Sequence, residues 1–386
     1  MSENSKSLKP GWKVWRFEQM AINVNVRIDN PSASGMEHYV GLEHLDPDSL
    51  RIRRWGSPSD VEAGKLFFKT GDIIFAKRRA YQRKLGVAEF DGICSAHAMV
   101  LRAKPEVVLP EFLPFFMQSD LFMNRAVEIS VGSLSPTINW KTMAVQQFTL
   151  PPIEEQRRLI DLLKEIESAG QGYGDVEEQA RRVSRALLSD TLERNWPVVE
   201  LGSAIQGTQY GLSLNADDKG TYPILRMMNL ENGRCVENDI KYVELNDKDF
   251  NAYRLVHGDV LFNRTNSYEL VGRTGMYDLE GDHVFASYLV RIKVEVEKLA
   301  PGYLTLLLNS DPGRRQVLSF ATKGVSQANV NASNLLRVRI PLPPLSVQEN
   351  LLEQIASAKQ TEDSAKTRRA SIAEMKRLVL ASIGEG

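Results

Sequence analysis

The chain has 386 residues, 42% hydrophobic and 25% charged, with a formal net charge of −1. This composition excludes a disordered or fibrous protein, and the length allows two or three domains with real cores. Near-neutrality neither supports nor opposes a polyanionic partner, so only local clusters of charge bear on that question.

Cys94 and Cys235 stand in different halves without a CxxC spacing, which reads as two free buried thiols in a reducing compartment rather than a metal site. Residues 1–10 are polar and are not read as a secretory signal. No run of about 18 apolar residues occurs, so no membrane span and a cytoplasmic protein are expected.

Self-similarity is the strongest signal. Trp12-Lys13-Val14 returns as Trp196-Pro197-Val198, and the strand-like Val40-Gly41-Leu42-Glu43-His44-Leu45 returns as Leu225-Arg226-Met227-Met228-Asn229-Leu230. Gly71-Asp72-Ile73-Ile74-Phe75 returns as Gly258-Asp259-Val260-Leu261-Phe262, a tight turn feeding a buried strand. Val100-Leu101-Arg102 and Leu289-Val290-Arg291-Ile292-Lys293-Val294 predict further strands. Residues 110–125 and 301–318 carry helix-spaced apolar positions, among them Leu113, Phe116, Met117 and Leu121. Ser119-Asp120 matches Ser310-Asp311, and Gly132 with Ile138-Asn139 matches Gly324 with Val330-Asn331. Leu150-Pro151-Pro152 with Gln156 matches Leu342-Pro343-Pro344 with Gln348. The landmarks keep their order at a spacing that drifts from roughly 184 to roughly 192 residues, which chance matching does not produce.

After each Pro-Pro pair the pattern changes to a long helix, because proline separates an extended segment from the helix that follows. Residues 154–193 would span roughly 60 Å if wholly helical, at about 1.5 Å per residue. Leu159, Leu163, Ile166, Val183 and Leu187 on this helix, and Leu352, Ile355, Ile372, Met375 and Val379 on the C-terminal one, form narrow apolar stripes. Such stripes call for a partner helix rather than a globular core. Gly170-Gln171-Gly172-Tyr173-Gly174 interrupts the first helix. Each internal glycine costs roughly 1 kcal/mol against alanine, so a kink or break is expected there. Its resemblance to a phosphate loop lacks the preceding strand and the acidic ribose ligand.

No catalytic constellation emerges. There is no GxxxxGK[ST] or HExxH motif, the five histidines stand singly, and His97 in a Ser-Ala-His-Ala context reads as packed. Asn30-Pro31-Ser32-Ala33 lacks the second proline and aromatic residue of an amino-methyltransferase motif and reads as a turn. Cationic, amide and aromatic residues do concentrate at matching positions after the Gly-Asp strands. Lys77, Arg78, Arg79, Tyr81, Arg83 and Lys84 follow the first, and Asn263, Arg264, Thr265, Asn266 and Tyr268 follow the second. Guanidinium groups can donate twice to guanine, carboxamides pair with adenine, and lysine neutralises phosphate. A solvated charged loop explains one such cluster equally well, whereas two at one position of a repeat point to recognition surfaces with different targets. Gln209, Tyr210, Arg226 and Lys323 are further candidates.

Together, the two Gly-Asp strands, the repeated Leu-Pro-Pro-x-x-x-Gln before a helix, the Trp-x-Val openings and the twofold layout resemble the specificity (S) subunit of a type I restriction–modification system. The resemblance implies an α+β chain with target-recognition domains at 1–152 and 196–344 and spacer helices at 153–195 and 345–386, paired antiparallel. It further implies a non-catalytic subunit that reads a bipartite double-stranded DNA site, one half per domain. Two modification subunits that methylate adenine with S-adenosylmethionine, and restriction subunits that use ATP and magnesium, would dock on it, leaving this chain without a cofactor or metal. A stand-alone DNA methyltransferase or nuclease with diverged motifs, or a coiled-coil scaffold for proteins, are the competing readings.

Overall fold

The computed structural model describes residues 8–323 and 327–384. Gly324 of the repeat lies outside the described residues. The chain divides into two units: residues up to Val176 with those from Ser364 onward, and Glu177–Asp363. Each unit is a mixed α+β body and takes a stretch of both long helices, Ile153–Glu193 and Leu345–Ser382.

In the first unit, a four-stranded sheet orders Ala21–Asn23, Met99–Ala103, Ile73–Phe75 and Leu85–Val87. A second sheet orders Arg27–Ile28, Lys65–Phe68, Gly92–Cys94 and Tyr39–Val40. In the second unit, a six-stranded sheet begins Ile205–Tyr210, Leu289–Val294, Val260–Asn263, Thr274–Met276. A three-stranded sheet there is centred on Tyr222–Leu225. The Trp-x-Val openings serve one purpose in both copies. Lys13–Arg16 pairs antiparallel with Gln147–Leu150, and Val198–Glu200 with Arg339–Pro341, so each unit's start is tied to the strand that precedes Pro-Pro.

Each Gly-Asp motif is a turn with an ion-paired hub. Gly71 and Gly258 take φ of 87° and 90°, the left-handed region that glycine enters without a Cβ clash. Asp72 Oδ2 accepts from the Lys69 amide, and Asp259 Oδ2 from the Val256 amide. Each carboxylate then meets an arginine of the adjacent strand. Arg102 grips Asp72 at 2.7 and 2.8 Å, and Arg291 lies 3.3 Å from Asp259. The two arginines occupy different rungs: Ile73 faces Leu101, one residue before Arg102, whereas Val260 faces Ile292, one residue after Arg291.

The conserved-position glutamines of the two copies lock helix to body. Gln156 and Gln348 are buried. Gln156 Oε1 accepts from Leu109 N, and its Nε2 donates to Val107 O and Pro151 O. Gln348 repeats the pattern with Ala300 N, Lys298 O and Pro343 O. Six otherwise orphaned backbone groups are thereby satisfied across two copies.

Three expectations need correction. The helices expected at 110–125 and 301–318 are each broken in two, into Phe112–Gln118 and Asp120–Glu128, and Pro301–Asn309 and Asp311–Ser319. Ser119 and Ser310 sit at the breaks and accept from Phe122 N and Gly313 N, so the repeated Ser-Asp is a helix N-cap. The strand-like segments at 40–45 and 225–230 turn after Val40 and Leu225 into the short 3-10 helices Leu42–His44 and Met227–Asn229. The cause is side-chain capping, Gly41 N to His44 Nδ1 and Arg226 N to Asn229 Oδ1. Finally, helix Ile153–Glu193 runs unbroken through Gly170-Gln171-Gly172-Tyr173-Gly174. A Cβ on Gly170 would lie 3.5 Å from Ile372 and one on Gly174 3.6 Å from Arg369, so those two glycines form a face, four residues apart, against the C-terminal helix.

The helices pair antiparallel in the first unit: Glu167 bonds Lys376 at 2.7 Å, Gly170 faces Ile372 and Gly174 faces Arg369. In the second unit Arg181 meets Glu362 at 2.7 Å. Leu159, Leu163 and Ile166 are buried, Leu187, Leu352, Ile355 and Val379 pack against the cores, and Ile372 is half-buried. Val183 and Met375, expected in the stripe, are 48% and 52% exposed and take no part in pairing within their units. At 376, the residue facing the partner helix is the Lys376 ammonium.

Candidate nucleic-acid interface

Hydrogen bonding aligns the two clusters residue by residue. In the first unit the Ile138 amide donates to Lys77 O, and in the second Val330 donates to Arg264 O. Lys77 therefore corresponds to Arg264, Arg78 to Thr265 and Arg79 to Asn266. Arg78 bridges to Thr137, as Thr265 pairs with Asn329. In the first unit the loop that follows Gly132 thus lies beside the cluster, a juxtaposition invisible in a linear reading.

In the first unit, a turn at Ala80–Gln82 is flanked by Arg79 and Arg83 at φ of 58° and 53°. Left-handed backbone at two arginines costs each roughly 1–2 kcal/mol, a strain that concentrates at functional loops. Arg79 donates to Ser135 Oγ from Nε and Nη2, Arg78 reaches His97 at 3.4 Å, and Tyr81 is exposed. Burial holds the Lys77 ammonium below its ordinary value. Burial, then the charges of Arg78, Lys77 and Lys65, hold His97 below the ordinary histidine value. Lys77, Arg78 and Arg79 have no carboxylate partner among the described residues, so the cluster carries net positive charge. Leu134, at 90% exposure, projects from the adjoining loop.

In the second unit, Arg264 lies over the Tyr210 ring at 4.8 Å, and Tyr210 Oη accepts from Ala332 N. Asn266 Nδ2 contacts Met227 Sδ at 3.3 Å, Met228 and Tyr268 are exposed close by in sequence, and Tyr288, whose backbone O accepts from Arg264 N, is exposed as well. Thr265 is buried and its Oγ1 accepts from Asn329 Nδ2. Lys323 belongs to the strand Thr322–Lys323, and its side chain lies outside the described residues.

Several predicted readers are held by partners within the fold. Arg83 is spent on Asp48, Asp120 and Gln118 O, and Lys84 Nζ donates to Leu42 O. Gln209 binds Arg291 and Ala252 O, while Arg226 is held by Asp239. Asn263 has no exposed surface, and neither side-chain amide atom has a partner among the described residues; it cannot reach a ligand from there. The first copy carries Ala76 at that place. Lys77, Arg78, Arg79, Lys84 and Arg264 have no carboxylate partner among the described residues, whereas Arg83 and Arg226 are ion-paired. Sequence reasoning read His97 as packed, whereas it is exposed beside Arg78, and did not single out Ser135, the partner of Arg79. Their only signal was proximity to the repeat landmarks.

Among the described residues no group of three or more His, Cys, Asp or Glu could hold a metal, and no helix is long and apolar enough to cross a membrane. Both cysteines are free and buried, and burial pushes the Cys94 thiol up to about 12.

Residues 61–170 and 193–374 match the sequence model of the type I restriction modification DNA specificity domain. The chain belongs to this specificity family. Its similarity to the type I restriction enzyme EcoKI specificity subunit of Escherichia coli K12 is 23% identity over 359 residues, covering 81% of this chain and 76% of that one. A putative type I specificity subunit of Methanocaldococcus jannaschii is 29% identical over 163 residues, 42% of this chain and 38% of the relative. A solved chain from a type I restriction–modification assembly aligns at TM-score 0.62 and 20% identity over 97% of both chains. A type I S subunit from M. genitalium aligns at TM-score 0.59 and 11% identity, over 99% of this chain and 98% of that one. These two likenesses establish the fold of the specificity family, tandem mixed domains joined to long helices. The corrected helix breaks, turns and glutamine clamps are how this member builds it.

Proposed function

We propose that this specificity subunit reads a split double-stranded DNA target, one half-site through each recognition domain, 1–152 and 196–344. The carrying observation is that the equivalent strand ends of both units hold cations without a carboxylate partner among the described residues, Lys77 to Arg79 in one and Arg264 in the other, while Arg83 and Arg226 are ion-paired. Anionic DNA is the ligand that such unpaired donors suit, and the different residues in the two copies suit two different half-sites. The long helices, 153–195 and 345–386, would fix the spacing and helical phase of the half-sites. Exposed Leu162, Val183, Met375 and Leu378 offer apolar surface on these helices for two modification subunits. Those subunits would bind S-adenosylmethionine and methylate, and restriction subunits would use ATP and magnesium, all on cytoplasmic DNA, with the present chain supplying no catalytic group.

The test is DNA binding and methyl transfer by the chain with and without a modification subunit. Arg264→Ala should relax recognition of one half-site, and Lys77→Ala or Arg78→Ala that of the other. Equal loss at both halves from either change would refute the division of labour, and methyl transfer by the chain alone would refute its non-catalytic role.

A further inference from the structure

Arg264 is a carboxylate-free cation held at both its backbone and its side chain. Its backbone is fixed on both sides, N to Tyr288 O at 3.0 Å and O from Val330 N at 2.9 Å. Its guanidinium is stacked at 4.8 Å on Tyr210, whose hydroxyl is in turn tied to the first amide of helix Ala332–Leu336 at 3.0 Å. Nε is buried without a partner, Nη1 reaches Ser287 O only at 3.5 Å, and Nη2 has no partner among the described residues. The part of the fork left for a ligand is therefore the Nη1–Nη2 edge, with the guanidinium carbon over an aromatic ring.

The residues that follow, Thr265, Asn266 and Ser267, are uncharged. The first unit instead places Lys77, Arg78 and Arg79 in succession. A run of cations serves phosphates, which reward charge and reach. A single clamped fork among neutral hydrogen-bonding groups serves a base edge, which rewards direction.

Building on the DNA-reading function proposed above, we propose that Arg264 reads one guanine of the second half-site, donating from Nη1 and Nη2 to its O6 and N7 in the major groove, and that Tyr210 is the positioning residue for that fork. Two parallel N–H donors from a planar group complement the paired acceptors that only guanine presents there. Pre-stacking removes side-chain freedom before binding, so the selectivity depends on the ring as well as on the arginine.

The experiment uses the full chain assembled with its modification subunit and a pool of duplexes, with bound sequences read out. Wild type should enrich a split site containing a G·C pair in one half whose identity depends on residue 264. Arg264→Lys, which keeps the charge and loses the fork, should reduce preference for that pair tenfold or more, and leave the other half-site unchanged as a control for folding. Placing 7-deazaguanine at the position, which removes only N7, should weaken wild type and leave Arg264→Ala unaffected. Tyr210→Phe should retain the preference within about threefold, and Tyr210→Ala should lose much of it together with the 7-deazaguanine effect.

Enrichment of no sequence by wild type would overturn the DNA-reading function itself. A split site with Arg264→Lys weakening all duplexes alike, or with 7-deazaguanine bound as tightly as guanine by wild type, would overturn the guanine contact alone. An unchanged preference in Tyr210→Ala would overturn the positioning role.

Discussion

Replacing Gln348 by leucine keeps the side chain's approximate volume and removes three hydrogen bonds at once. In the wild type, Oε1 accepts from Ala300 N at 2.9 Å, and Nε2 donates to Lys298 O and Pro343 O at 2.8 Å each. Gln348 has no exposed surface, so water cannot replace these bonds without the helix start moving. Three net hydrogen bonds at about 1 kcal/mol each give a loss of about 3 kcal/mol. The desolvation penalty of the three stranded backbone groups raises that figure, and the better transfer of leucine offsets it by about 1–2 kcal/mol. The expected destabilisation is therefore about 3 kcal/mol. Urea unfolding of the full chain, followed by a probe in the second unit, should show a midpoint lowered by roughly 1–3 M at ordinary slopes. Gln156→Leu should act alike on the first unit, because its three partners are the same in kind. A loss below about 1 kcal/mol in both variants would show that the helix starts are held by apolar packing, and that the glutamine of the Leu-Pro-Pro motif is incidental.

Asn263→Ala removes two amide atoms that are buried without partners, and the first copy already carries alanine there. Thermal melting should therefore show an unchanged or raised Tm, and a fall equivalent to more than about 1 kcal/mol would contradict the absence of a partner for that amide. Gly172→Ala meets nothing within 4 Å of its Cβ, so the unbroken helix should gain up to about 1 kcal/mol of stability, measurable by denaturant unfolding. A loss instead would mean that the helix bends or opens at this glycine after all.

Much of the architecture was legible because it is local and occurs twice. The Gly-Asp turns need a left-handed residue before a buried strand, and the Pro-Pro pairs must end an extended segment before a helix. Both requirements act on neighbouring residues, so they leave a mark in linear order, and repetition separates that mark from chance. The helix breaks at Ser119 and Ser310 were equally local, yet apolar periodicity ran across them and masked the caps. The glycine-rich stretch misled for the opposite reason. Helix propensity taken alone argues for a break, whereas Gly170 and Gly174 lie in a continuous helix that packs against another helix.

The candidate site divides along the same line. Position after the Gly-Asp strand was enough to find the cationic clusters at 77–84 and 263–268. It could not sort them, because a free arginine and a neutralised one look alike in a chain. Asp48 and Asp120 are 35 and 37 residues or so from Arg83 in sequence, roughly the span of a supersecondary unit, and only folding brings them into contact with it. Sequence by itself determined the twofold plan, the family and the position of the cationic clusters, all set by short-range backbone rules. Tertiary structure alone decided which of those residues remain available, since ion pairing and burial depend on partners that are distant along the chain.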